Sequence, residues 1–413
     1  MIQFSNLDRI RETGECFKKW VSLKMAVIFI IVLVLFQCKS GTGKYETGNL
    51  AEIDISKKYP VQELYLQNIA KVEYIPLETN KNTLMRSGST IVHVSDDYII
   101  ASNKTDGDVF VFDGKGKSKF SFNRKGPNGA MEYRNLIGIT FDEKAKEIFI
   151  YDGTNNKWFV YAEDGKLIRT FACHFSKFSP DLYNFDDETL FAYDEFGVMF
   201  QARYSNKPYC FISKKDGSIV DSLNIYLPFR VSNWKIVNAE INGKSRRQGL
   251  NISMTNNKSY GKNYLIADWS HDTIYRLTPQ KELQPLIVRK PSVQDAEPKI
   301  IISNYLATDK FILLGKVILD FERVVRREGV SKTTLKYDFE TGQINECKLI
   351  NKHFEAQVIE FKDAITPENT CVALLDVALL FEENEAGKIK DELKELLKTL
   401  DEEDNPVLMK IKF

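Results

Sequence analysis

The chain of 413 residues balances 57 basic against 57 acidic side chains, and without a basic surplus to concentrate on phosphates it offers no electrostatic case for nucleic acid. Its 43% hydrophobic and 12% aromatic content excludes a disordered chain and provides for a large core. Six cysteines without any CxxC spacing match neither a zinc ribbon nor a disulfide-stapled mini-domain.

The first element in chain order is the apolar run MAVIFIIVLVLFQCKSG, residues 25–41. Its uncharged core, Ala26 to Phe36, covers as a helix only about half of a hydrocarbon layer about 30 Å thick. Arg9, Arg11, Lys18, Lys19 and Lys24 precede it, which is the pattern of a secretory signal peptide. Leu35 stands three residues before Cys38, and here the stretch resembles the lipobox of bacterial lipoproteins, with Gln37 where a small residue is usual. The resemblance implies that residues 1–37 are a signal peptide, that Cys38 is lipidated, and that residues 38–70 form a lipidated N-terminus and tether. The alternative is an uncleaved N-terminal anchor or an ordinary signal peptide with an incidental cysteine. Processing would leave 52 bases against 54 acids and four thiols, Cys173, Cys210, Cys347 and Cys371, expected to pack as small buried apolar groups, with one or two disulfides as the alternative.

From residue 90 onward, short apolar runs recur: DDYIIAS at 96, KEIFIYD at 146, ETLFAYD at 188, KNYLIAD at 262, DKFILLG at 309 and NTCVALLD at 369. Each has strand length and strand composition. A second such segment follows each one: VFVFD from 109, WFVYA from 158, YCFIS from 209, TIYRL from 273, TLKYDF from 334 and VLMKIKF from 407. Several of these run into glycine turns, FDGKGK, AEDGK, SKKDGS and FETGQ, where glycine supplies the positive φ of a tight hairpin. Six pairs predict six four-stranded antiparallel blades, an all-β six-bladed β-propeller over residues 71–413. In one unit all four strands are legible, NLIGITF, EIFIYD, KWFVYA and KLIRTF. The segment KVEYIPLET, 71–79, alternates Val72, Tyr74 and Leu77 with polar residues, and is expected to pair with the C-terminal end and close the last blade.

One element departs from the β pattern. In GKIKDELKELLKTLDEED, Ile389, Leu393, Leu396, Leu397 and Leu400 keep helical spacing, which predicts an amphipathic α-helix running up to Asn405-Pro406. Its apolar stripe is expected to pack on the propeller rather than on a partner, and Asp401 to Asp404 to be a solvated helix end.

The lipobox-like start, KVEYIPLET, the FDGKGK turn, the GP…EY loop at 126–133, HDTIY at 271–275 and DEEDNPVL near the end together resemble the six-bladed β-propeller lipoproteins of Bacteroidetes. Most of these have no assigned role. The resemblance implies an outer-membrane lipoprotein, and some relatives are encoded near glycan-uptake systems, which makes a glycan one expected partner. Lys39, Ser40 and Gly41 lack the acidic cluster that resembles the surface-export signal, so the periplasmic side is preferred.

Strand alternation places the blade-to-blade connections and the links between second and third strands at one end of the ring, the default ligand site. Arg124, Lys125, Glu132, Tyr133 and Arg134, with Trp269 and His271, are the candidate ligand-binding residues there, against a purely structural loop as the favoured alternative. Ser270, His271 and Asp272 adjoin in sequence, where a hairpin turn outweighs a catalytic triad. His93, His174 and His353 are isolated, and no HExxH motif occurs. Asp152, Asp194, Asp268 and Asp376 each follow the first strand of a pair; they start turns, or else ring the channel and hold calcium, the one cofactor allowed for. The function expected is non-catalytic binding of a glycan, a peptide or an envelope protein. The alternative is a propeller hydrolase or lyase using channel carboxylates or a divalent cation.

Overall fold

The computed structural model describes residues 50–413 apart from 175–179, 195–207, 226–229, 233, 242–243, 253–256, 261, 355–358, 360 and 362–363. Cys38 and the apolar run before it therefore lie outside the described residues. In chain order the fold opens with β1 (Ala51–Asp54), β2 (Val61–Tyr65), the short helix α1 (Leu66–Ile69) and β3 (Lys71–Pro76). Blade 1 is β4 (Thr90–Val94), β5 (Tyr98–Asn103), β6 (Asp108–Asp113) and β7 (Ser118–Asn123). Blade 2 is β8 (Leu136–Asp142), β9 (Glu147–Asp152), β10 (Lys157–Ala162) and β11 (Leu167–Ala172). Blade 3 is β12 (Pro180–Asn184), β13 (Thr189–Asp194), β14 (Tyr209–Ser213) and β15 (Ile219–Ser222).

A separate hairpin, β16 (Trp234–Ile241) with β17 (Lys244–Asn251), precedes blade 4. That blade is β18 (Asn257–Tyr260), β19 (Asn263–Ile266), β20 (Thr273–Leu277) and β21 (Leu283–Lys290). Blade 5 is β22 (Ile300–Ala307), β23 (Phe311–Ile318), β24 (Ser331–Asp338) and β25 (Ile344–Ile350), with α2 (Phe321–Val325) between its second and third strands. Blade 6 contains β26 (Thr370–Leu375), the helices α3 (Val377–Glu385) and α4 (Asp391–Leu397), and β27 (Val407–Lys412), which pairs with β3.

The predicted strand pairs are the second and third strands of the six blades, and a physical reason explains why they stood out. Each middle strand is covered on both faces, so neighbouring side chains enter different seams. In β9, Ile148 and Ile150 pack with blade 1 while Phe149 and Tyr151 pack with blade 3. Such a strand has no polar side. Six apolar clusters follow the six blade interfaces, each built from both neighbours, for instance Ile99 and Phe112 of blade 1 with Val372 and Leu408 of blade 6. The turns after the third strands use the expected glycines. Gly116, Gly165 and Gly217 all have positive φ, and a Cβ on any of them would strike the preceding blade's outer strand, as at Pro76 O, Phe120 or Ala172 O.

Closure uses both chain ends. β3 lies antiparallel to β27, from Lys71↔Lys412 to Val407↔Pro76. On the inner side, Ile365 bonds through its amide and carbonyl to Val92 and Val94 of blade 1 at 3.0 and 2.8 Å.

Two expectations need correction. Part of the segment read as a tether is sheet: β1 pairs in parallel with β21 and β2 with β25, adding a fifth strand to blades 4 and 5. Each buries an aliphatic side chain there, Ile53 fully and Leu64 nearly so, and this burial is what holds such short strands in place. The C-terminal helix is present but shorter than expected, and a second helix stands before it. α4 stops at Leu397, α3 precedes it, and Asp401 to Asp404 form a turn in which the Asp404 carboxylate accepts from the Asp401 amide at 2.9 Å. Its stripe does pack inward: Ile389, Leu393 and Leu397 are buried against β26 and β27.

Candidate functional site

The two ends of the ring differ. At one end the connections within blades are short turns, such as 95–97, 143–146 and 308–310, none longer than 214–218, 278–282 or 339–343. Among the described residues the opposite end receives the longer connections: 77–89, 124–135, the hairpin β16–β17, 291–299, 319–330 with α2, and 376–406 with α3 and α4. Strands alternate in direction, so all of these emerge on the side that also carries 267–272.

The loop 124–134 is a closed turn. Gly126 N and Tyr133 N bond to Tyr133 O and Arg124 O, both at 3.1 Å. The Glu132 carboxylate accepts from Asn128 N at 3.0 Å and lies so close to Gly126 that a Cβ there would collide with it. Tyr133 is fully buried between blades 1 and 2, edge-on to Phe159 and Tyr161. Its hydroxyl donates to Gly107 O at 2.6 Å and accepts from Arg124 N at 3.1 Å, and burial pushes its pKa up. Lys125 Nζ donates to Thr105 O at 2.6 Å. Arg124, Lys125 and Arg134 are exposed. Only the charged members of this group therefore face solvent.

Trp269 is likewise buried, at 2% exposure. His271 is half-buried and accepts from Thr273 N through Nδ1 at 3.1 Å, while Ser270 Oγ accepts from Val231 N at 2.7 Å. The serine and histidine thus serve backbone turns, and no triad is assembled. Asp268 accepts from Ser270 N, Asp152 from Thr154 N, and Asp376 from Leu379 N, so three of the four strand-ending aspartates cap turns or a helix. The Asp194 side chain lies outside the described set. Among the described residues no three His, Cys, Asp or Glu side chains are placed to hold a metal ion. Cys173, Cys210, Cys347 and Cys371 are buried.

What the sequence reading missed is a buried polar relay beneath this end. Arg230 Nη2 donates to Tyr193 Oη at 2.8 Å, Tyr193 donates to Asp268 Oδ2 at 2.7 Å, and Arg230 and Asp268 form an ion pair at 3.6 Å with side chains 1% and 2% exposed. Neighbouring Tyr209 is raised well above its ordinary pKa, by burial first and then by the Asp268 charge. A second buried cation, Arg289, sits 3.8 Å from Asp272; burial pushes it down to about 10, still protonated at neutral pH. Trp269 Nε1 and Arg289 Nη2 have no hydrogen-bond partner among the described residues, and both residues line a cavity of about 10 Å³, room for one water at most. These charges are spent on one another and on backbone. They hold the loops of blades 3 to 5 in place rather than meeting a ligand.

The central channel is narrow between the inner strands of blades 1 to 3 and residues 364–365. A cavity of about 70 Å³ there is lined by Ile91, Val92, Ile139 and Leu182, with Lys104 and Asp181 as its charged members.

Comparison with known proteins agrees with this architecture. A structure of a Bacteroides fragilis protein inferred to be exported is 17% identical, covering 88% of this chain and 99% of that one with a TM-score of 0.59. A member of the DUF4221 family from Bacteroides vulgatus is 10% identical, covering 83% and 96% with a TM-score of 0.46. No curated protein matches the sequence. The family model for the domain of unknown function DUF4934 matches residues 50–412, nearly the whole propeller. The chain, folded as a six-bladed β-propeller, belongs to the DUF4934 family.

Proposed function

We propose that the protein is a cell-envelope lipoprotein, anchored through Cys38, whose propeller is a non-catalytic module binding a glycan, a peptide or an envelope protein at the elaborated end of the ring. The observation that carries this reading is the asymmetry of the two ends: the longer described connections collect on one face, above the buried Arg230–Asp268 pair and the buried Arg289. Loops on a stiff scaffold are where proteins place recognition. The described part of the channel holds a small cavity whose charged members are Lys104 and Asp181, one of each sign, which suits a polar ligand. Export is supported by the Bacteroides fragilis neighbour, and no described helix is long and apolar enough to cross a membrane.

A binding screen of the purified protein against polysaccharides and peptides, with and without calcium, tests the function. The expected result is a ligand whose affinity falls about tenfold when Arg124 and Arg134 are changed to alanine, the loss of two charged contacts. Turnover of a screened polysaccharide, or a ligand indifferent to every substitution at this end, would overturn the reading. Mass spectrometry of the membrane fraction checks for acylated Cys38.

A further inference from the structure

The outer edges of the blades are not treated alike. Blades 4 and 5 have theirs covered by β1 and β2, both added in parallel. Each added strand carries a glutamate followed by a buried aliphatic residue, Glu52-Ile53 and Glu63-Leu64. In both cases the glutamate pairs with a lysine of the strand it covers, Glu52 with Lys290 at 2.6 Å and Glu63 with Lys348 at 3.9 Å. The chain thus shows its own rule for filling a blade edge: an extended acidic-aliphatic segment on a lysine-bearing strand.

Blade 1 presents such an edge without a strand on it. β7 is terminal in its sheet, and its edge opens on a groove of about 510 Å³ lined by Asn80, Asn82, Lys119, Phe120 and Phe122, with Asp108 at its inner side held by the Asn123 amide at 2.8 Å. The far wall is the segment after β3, where Glu78 accepts from Ser118 N at 2.8 Å and Asn82 O accepts from Ser121 Oγ. Phe120 is 37% exposed. The surrounding stretch, residues 114–125, contains Lys115, Lys117, Lys119, Arg124 and Lys125 and no acid. All five are exposed, and among the described residues only Lys119 has a carboxylate within ion-pair distance, Glu163 at 3.6 Å.

We infer that the β7 edge of blade 1 receives an extended acidic-aliphatic segment of a partner protein as an added strand, as β21 and β25 receive β1 and β2. Main-chain bonds to the open edge give affinity, an aliphatic side chain covers Phe120, and acids on the segment meet Lys117 and Lys119. This surface lies on the rim of the ring, walled on one side by the 77–89 connection.

The test uses the full chain in detergent with a fluorescent peptide of its own covering strand, LAEIDIS (residues 50–56), and a control in which both acids are lysine. Anisotropy is expected to show saturable binding of the acidic peptide that is about tenfold weaker for the control and for the exposed double variant Lys117→Glu/Lys119→Glu. Hydrogen exchange is expected to slow at residues 118–123 when the peptide is added. Absence of binding, binding that survives the double variant but is lost in Lys290→Glu (exchange at blade 4), or binding without protection of 118–123 would each overturn the inference. An unchanged thermal midpoint shows that the double variant is folded.

Discussion

A tyrosine on a connection between two blades can face water or the seam behind it, and Tyr133 faces the seam. Its hydroxyl satisfies Gly107 O and Arg124 N, so Tyr133→Phe is expected to cost about 1–2 kcal/mol in urea unfolding and to leave ligand affinity unchanged. The loop position was legible in the sequence; the direction of the side chain was not, because a loop has no periodicity to assign one face to water. Trp269 was misread for the same reason. The buried Arg230 left a fainter signal, a lone cation in the apolar stretch YLPFRV, and its partners Tyr193 and Asp268 are too distant in sequence to be matched to it. Cys347 adds a dependence on pH. Burial raises its thiol from an ordinary 9.0 to about 11, so between these values the unfolded chain gives up a proton that the folded one keeps, and stability falls as pH rises through that window. The difference between wild type and Cys347→Ala in unfolding midpoint should narrow or reverse from pH 9 to 11, isolating this group from the buried tyrosines that ionise higher.

Among the elements, visibility in the sequence followed the number of faces covered. Middle strands are apolar on both sides and were legible as six pairs, whereas outer strands such as β7, SKFSFN, and β15, IVDS, are half polar and merge with their turns. β1 and β2 were unreadable as strands because what makes them strands is an edge more than 200 residues away, Ala51 opposite Ile287 and Val61 opposite Glu346. α3 was hidden because the apolar run CVALLDVALL passes from β26 into the helix without a break. Asp376, read as a turn starter, is its N-cap. The grip of β1 is tested by contrast: Ile53→Ala should cost about 2–4 kcal/mol, while Val61→Ala, at 60% exposure on β2, should stay within about 0.5 kcal/mol, both read by denaturant titration.

For the molecule as a whole, the seal between its ends concentrates on Asn405. This side chain, 1% exposed, donates to Glu78 O at 2.9 Å and Thr83 O at 2.5 Å and accepts from Met85 N at 2.7 Å, while its own amide donates to Thr79 Oγ1 at 2.7 Å. Asn405→Ala strands three backbone groups and should cost about 2–4 kcal/mol. Asn405→Asp, which keeps an acceptor but loses both donors, should rescue little of that in the same titration. β3 also has a consequence in time. A ribosome or a secretion pore delivers residues 51–76 early, yet their partners at 287–290, 346–350 and 407–412 come late. β1 and β2 must wait for partners more than 200 residues behind them and β3 for residues 407–412, so the wheel locks only once that last strand has been delivered.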